Sequence, residues 1–232
     1  MYTVWQKKQE EVEVLSTDLT EGSIHKKLWL FSIPMLVSVM FQQIYNIADS
    51  MIAGRFAGED ALAAVGASYP ITMLFIAVAM GCNIGCSVVI GQAFGARDYR
   101  RMKTAVSTTC ITCAVLSVVL MAAGFLFGAP LLRLIRTPAN IFADGKLYLD
   151  IYVGGVAFLF LYNICTGIFN AMGDSRTPLI FLILSSAANV VLDLWFVAGL
   201  HWGVAGVAWA TFIAQGASGL LSLAVLAKRI AA

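Results

Sequence analysis

The chain has 232 residues, 60% of them hydrophobic and 12% charged, with a formal net charge of +2. Soluble domains carry about 25% charged residues, so this composition, with a mean hydropathy of +0.85, excludes an ordinary soluble domain. It points to a protein whose solvent is the lipid bilayer, and nothing suggests nucleic acid as a partner, because the basic residues lie next to the membrane spans, where they serve topology.

The first 22 residues are polar and hold Lys7, Lys8, Glu10, Glu11 and Glu13 with no apolar core, so they read as a cytoplasmic tail and not as a cleavable signal peptide. Residues 23–232 read as a single transmembrane unit. Six apolar stretches follow: about Leu28–Ala53, Ala61–Gly95, Thr104–Ala129, Leu147–Met172, Leu179–Leu200 and Gly203–Ala227. Each exceeds the roughly 20 residues that cross a hydrocarbon core of about 30 Å. In lipid such segments must be helices, which satisfy their own backbone groups. The expected fold is therefore an all-α membrane protein, a six-transmembrane-helix bundle.

Pro34 lies inside the first span, removes the bond to the Leu30 carbonyl, and is expected to kink or loosen that helix. The second span is overlong and should tilt, kink near Pro70 or emerge into water at Gly95. It carries the pairs Gly81/Gly85 and Gly91/Gly95, read as tight packing within the bundle. The longest loop is expected at Pro130–Lys146, with a short interfacial helix starting at Thr137-Pro138 and Pro at its first position. Gly173–Pro178 is expected to be a tight turn restarting the fifth helix. The five cysteines all lie in apolar segments and read as small hydrophobes.

Basic residues set the topology. Lys7, Lys8, Lys26, Lys27, Arg97, Arg100, Arg101, Lys103, Arg176, Lys228 and Arg229 fall on one side, and Arg55, Arg133, Arg136 and Lys146 on the other. The positive-inside rule then predicts both termini in the cytoplasm of a multi-pass protein of the cytoplasmic membrane.

Polar residues recur at helical spacing in four spans. Gln42, Tyr45, Asn46 and Asp49 share a face of the first; Asn163, Thr166 and Asn170 of the fourth; Ser185, Ser186, Asn189 and Asp193 of the fifth; Thr211 and Gln215 of the sixth. Interhelical hydrogen bonding accounts for Thr211 or Asn163 alone. It accounts poorly for two carboxylates, since an acid mid-membrane costs about 3 kcal/mol. Helix counting puts Asp49, Asp193 and Thr211 at similar depth in the outer half. Two carboxylates sharing a low-dielectric site cannot both stay ionised cheaply, so the pair is expected to bind a proton or a cation. No nucleotide-binding, metalloprotease or nucleophile-elbow pattern occurs, so an enzyme is not expected, nor a cofactor or a resident metal.

Ile33-Pro34, Gln42–Arg55 (QQIYNIADSMIAGR), Gly91–Ala96 (GQAFGA), Gly173–Pro178 (GDSRTP) and Asn189–Asp193 (NVVLD) together resemble the multidrug and toxic compound extrusion (MATE) transporters. The resemblance covers about residues 18–230. It implies the amino-terminal lobe of a twelve-helix, DinF-like antiporter that exports drugs or small organic cations, driven by H+ or Na+. Asp49 and Asp193 match the family's coupling acids, where Na+ could also bind. Gln42, Tyr45, Asn163, Asn189 and Thr211 match cavity-lining positions, and Pro34 matches the proline at which the first helix bends. The expected partners are the lipid bilayer, the drug, and a carboxy-terminal lobe or second half-transporter chain. Two other readings stand beside it: a lipid-linked saccharide flippase, disfavoured because basic residues occur only at span ends, and a non-transporting membrane assembly module.

Overall fold

The computed structural model describes residues 24–231; the polar segment read as a tail lies outside the described residues. Among the described residues there is no strand, and the elements are α1 (Ile24–Ile52), α2 (Glu59–Gly95), α3 (Tyr99–Leu134), α4 (Ala139–Gly154), α5 (Val156–Ala171), α6 (Arg176–Asp193) and α7 (Gly203–Ala231). Five helical spans are long and apolar enough to cross a bilayer, and α4 with α5 makes a sixth that is bent by 48°. The molecule is an all-α bundle of membrane-spanning helices.

Several elements depart from the sequence reading. The fourth span is not one rod over Leu147–Met172; it begins at Ala139 and breaks at Gly155. A Cβ on Gly155 would come within 3.1 Å of Phe212 on α7 and 3.3 Å of the Tyr152 carbonyl. The bend sits where α7 comes close, and a side chain there would have to push Phe212 aside. No long loop occupies residues 130–146. Helix α3 runs through Pro130 to Leu134, α4 restarts at Ala139, and Pro138 caps it from outside the first turn. A transmembrane helix tolerates an internal proline such as Pro130. Helix α2 likewise runs 37 residues through Pro70, about 55 Å long.

The turns on the two faces use one device. Arg97, Arg136 and Gly173 take positive φ (56°, 58° and 81°). In each case the next N–H reaches back five residues, Asp98 to Ala93, Thr137 to Leu132 and Asp174 to Phe169. These bonds satisfy carbonyls left over at the helix ends.

The core is centred on α5, where Phe160, Ile164, Ile168 and Phe169 are buried and which packs on α2, α7 and α3. Close approach is made by Gly124 and Gly128 of α3, which face Val153 and Leu149, and by Gly167 of α5, which faces Asn83. The glycine pairs of α2 behave otherwise. A Cβ on Gly81, Gly85 or Gly95 would meet nothing within 4 Å, so those positions are not packing contacts within the bundle; Gly91 alone approaches the Ala171 carbonyl. All five cysteines are unpaired and lie in or against the α5 core. Helix α1 is the opposite of α5. It is peripheral, packs chiefly on α6, and leaves Leu28, Trp29, Leu36, Met40, Ile44 and Met51 exposed.

Candidate functional site: a carboxyl pair beneath two π-helical turns

Helices α1 and α6 end alike. Each passes from α-helix into a π-helical turn, Ala53–Ala57 after α1 and Leu194–Gly199 after α6, and the two turns pack on one another. Such turns re-aim neighbouring side chains and concentrate at functional sites. Asp193 is the last α-helical residue before one turn, and Asp49 lies one helical turn before the other. Nothing in residue spacing announces a π-helical turn, so neither was foreseen.

The two carboxyl groups lie within hydrogen-bonding reach of each other. Asp193 is 0% exposed and Asp49 is half-buried. One oxygen of each, Oδ1, is buried with no hydrogen-bond partner. The other Asp193 oxygen is held: with its amide oriented to satisfy both ends, Asn189 donates Nδ2–H to Asp193 Oδ2 at 2.8 Å and accepts from the Thr211 N–H at 3.1 Å. Among the described residues neither acid has a Lys or Arg partner. Among the described residues no group of three or more His, Cys, Asp or Glu side chains is placed to hold a metal ion.

Tyr45, one turn before Asp49, lies near Thr211 and within electrostatic range of both acids. Sequence reasoning missed two further members. Tyr148 and Tyr152 of α4 stack with ring centroids 6.3 Å apart, and Tyr148 lies close to Asp49, Tyr45 and Asp193. Their i, i+4 spacing just ahead of Gly154-Gly155 was the available signal, but it reads as core until the bend at Gly155 is known. The site thus draws on α1, α4, α6 and α7. Ser185 Oγ–H, two turns before Asp193, donates to the Ala214 carbonyl at 3.2 Å and fixes α6 against α7.

Other residues singled out from sequence lie apart. Gln42 is exposed, and among the described residues its side chain makes no hydrogen bond. Asn163 donates back to its own helix at Leu159 O, 2.8 Å, instead of reaching the pair. Pro34 is half-buried in α1, and Ser38 Oγ–H donates to its carbonyl at 2.8 Å.

An acid pair with no basic partner inside a helical membrane bundle is a candidate functional site. The MatE family model matches residues 34–195. The chain belongs to the MatE family. Among curated relatives, the probable multidrug resistance protein YoeA of Bacillus subtilis is 35% identical over 214 residues, covering 90% of this chain and 46% of the relative. YpnP of the same organism is 32% identical over 211 residues, covering 91% and 47%. Among solved structures, a MOP superfamily transporter from Pyrococcus furiosus superposes with a TM-score of 0.85 at 28% identity, covering 91% of this chain and 47% of that one. MATE structures described as bent and straight give 0.83 and 0.84. This MatE chain therefore spans about half the length of the relatives it matches.

Proposed function

We propose that this chain is one lobe, the amino-terminal one, of a cation-coupled drug exporter, and that Asp49 and Asp193 together hold the coupling ion. The observation that carries this reading is the contact between two carboxyl groups, each with an unpartnered buried oxygen. Two carboxylates cannot hydrogen-bond each other. Two carboxyls sharing one proton can, and a small cation would serve the same oxygens. Binding the ion closes the α1–α6 contact; losing it leaves like charges face to face and drives α1 away. Asn189 supplies the amide that holds Asp193, and Tyr45 and Tyr148 lie beside the pair. Drugs or small organic cations are the exported class, by likeness to relatives named as multidrug resistance proteins. Both termini face the cytoplasm on the distribution of basic residues.

The test joins this lobe to a second six-helix half in proteoliposomes, because alternating access needs two bundles moving around a central site. An imposed H+ or Na+ gradient should drive ethidium export, and Asp49→Asn or Asp193→Asn should abolish the gradient dependence while the protein still folds. Undiminished gradient-driven export by both variants would sink the reading. If Asp49→Ala and Asp193→Ala are silent in every transport assay, the assembly-module reading takes its place. The lone chain, verified as a monomer, should export nothing.

A further inference from the structure

The Gly173–Pro178 turn, singled out in the sequence, has no part in the acid site; it lies at the opposite end of α6. It is nonetheless the most heavily hydrogen-bonded polar cluster in the described structure. Asp174 Oδ1 accepts the N–H groups of Arg176 (3.1 Å) and Thr177 (3.0 Å). Its Oδ2 accepts the Thr177 hydroxyl (2.6 Å) and the Arg229 guanidinium of α7. Arg229 also donates to Thr177 Oγ1 (3.2 Å) and lies over the Phe169 ring, 5.3 Å from its centroid. The turn is thereby locked to α5, α6 and α7. From this locked turn Ser175, itself buried, donates its hydroxyl to the Phe31 carbonyl of α1 at 3.0 Å.

That bond falls at a particular place. Phe31 is three residues before Pro34. Proline supplies no N–H to the Leu30 carbonyl, and Ser38 bonds back to the Pro34 carbonyl. Both features loosen the helical ladder just above the Ser175 contact. Asp49 is fifteen residues further on than Pro34, about 22 Å along the axis, so the two polar contacts of α1 lie far apart.

We infer that the Asp174–Ser175–Arg229 unit is a fixed anchor that holds the inner end of α1 against α6 whatever the outer end of that helix does. Helix α1 then has two polar ties of different kinds. The inner tie joins a neutral hydroxyl to a backbone carbonyl and persists whatever the ion does. The outer tie, Asp49 to Asp193, holds only with an ion between the acids; this half of the contrast rests on the function proposed above. Without the inner anchor α1 would shift as a rigid rod or detach from α6.

Hydrogen–deuterium exchange of the full chain in lipid nanodiscs tests this, read on peptides covering residues 24–36 and 46–57. Ser175→Ala should speed exchange of 24–36 by about fivefold, the population shift of one ordinary hydrogen bond, and leave 46–57 unchanged. Arg229→Gln, which keeps Ser175 but frees the turn, should open the same inner segment to a smaller extent. If Ser175→Ala leaves 24–36 unchanged, or opens both segments alike, the anchor is refuted. Should Ser175→Ala fail to fold, Arg229→Gln decides by the same two readings. Asp49→Asn should alter 46–57 only. Failure of that single arm removes the ion-site reading and leaves the anchor standing.

Discussion

Helix α6 has a buried aspartate at each end, and the two are provided for in opposite ways. Asp174, 7% exposed, sits just before the helix start and meets two backbone N–H groups, a hydroxyl and a guanidinium. It also lies at the positive end of the helix dipole. Asp193, 0% exposed, ends the α-helix and meets one amide donor and another acid. A buried charge with all its partners holds structure together. A buried acid left short of partners costs stability, and a fold retains it where something arrives to complete it.

The widest separation between the two should appear on removing a partner. Arg229→Ala leaves Asp174 buried without its counter-charge and should cost about 3 kcal/mol, read as a lowered unfolding midpoint in detergent titrations. A loss under about 1 kcal/mol would mean that the ion pair is surface-like and the contrast false. Thr177→Ala removes one hydroxyl from the same cluster and should cost about 1 kcal/mol in the same titration. Asp193→Asn belongs to the other class. It supplies an amide donor to an acid pair short of donors, so stability should stay within about 0.5 kcal/mol of the parent or rise; a loss above about 2 kcal/mol would place Asp193 with Asp174 among structural groups. The smallest effect belongs to Gln42→Ala. Gln42 is exposed and makes no side-chain hydrogen bond among the described residues, so a change of no more than about 0.3 kcal/mol is expected. A larger change would show that the outer face of α1 is packed against a partner.

Composition, span length and the period of the polar stripes were enough to read a helical membrane bundle, because the bilayer admits few solutions for an apolar chain. The same stripes singled out Asp49, Asp193, Asn189, Tyr45 and Thr211, which the structure brings together, but also Gln42 and Asn163, which it leaves apart. Spacing along one helix tells which residues share a face. It does not tell what that face meets, so Asn163, on a helix surrounded by others, bonds to its own backbone. The same limit hid Tyr148 and Tyr152, whose direction depends on the bend at Gly155 and on Phe212 pressing from α7.

What the sequence determined by itself was the solvent, the number of spanning units and the presence of two acids too costly to be accidental, since those follow from transfer free energies summed along the chain. Tertiary structure alone decided which acid is neutralised and which is not. Asp174 finds Arg229 across 55 residues, and Ser175 finds Phe31 across 144. Partners that distant are chosen by how helices pack, and packing depends on shape at a few glycines and turns rather than on any local pattern of residues.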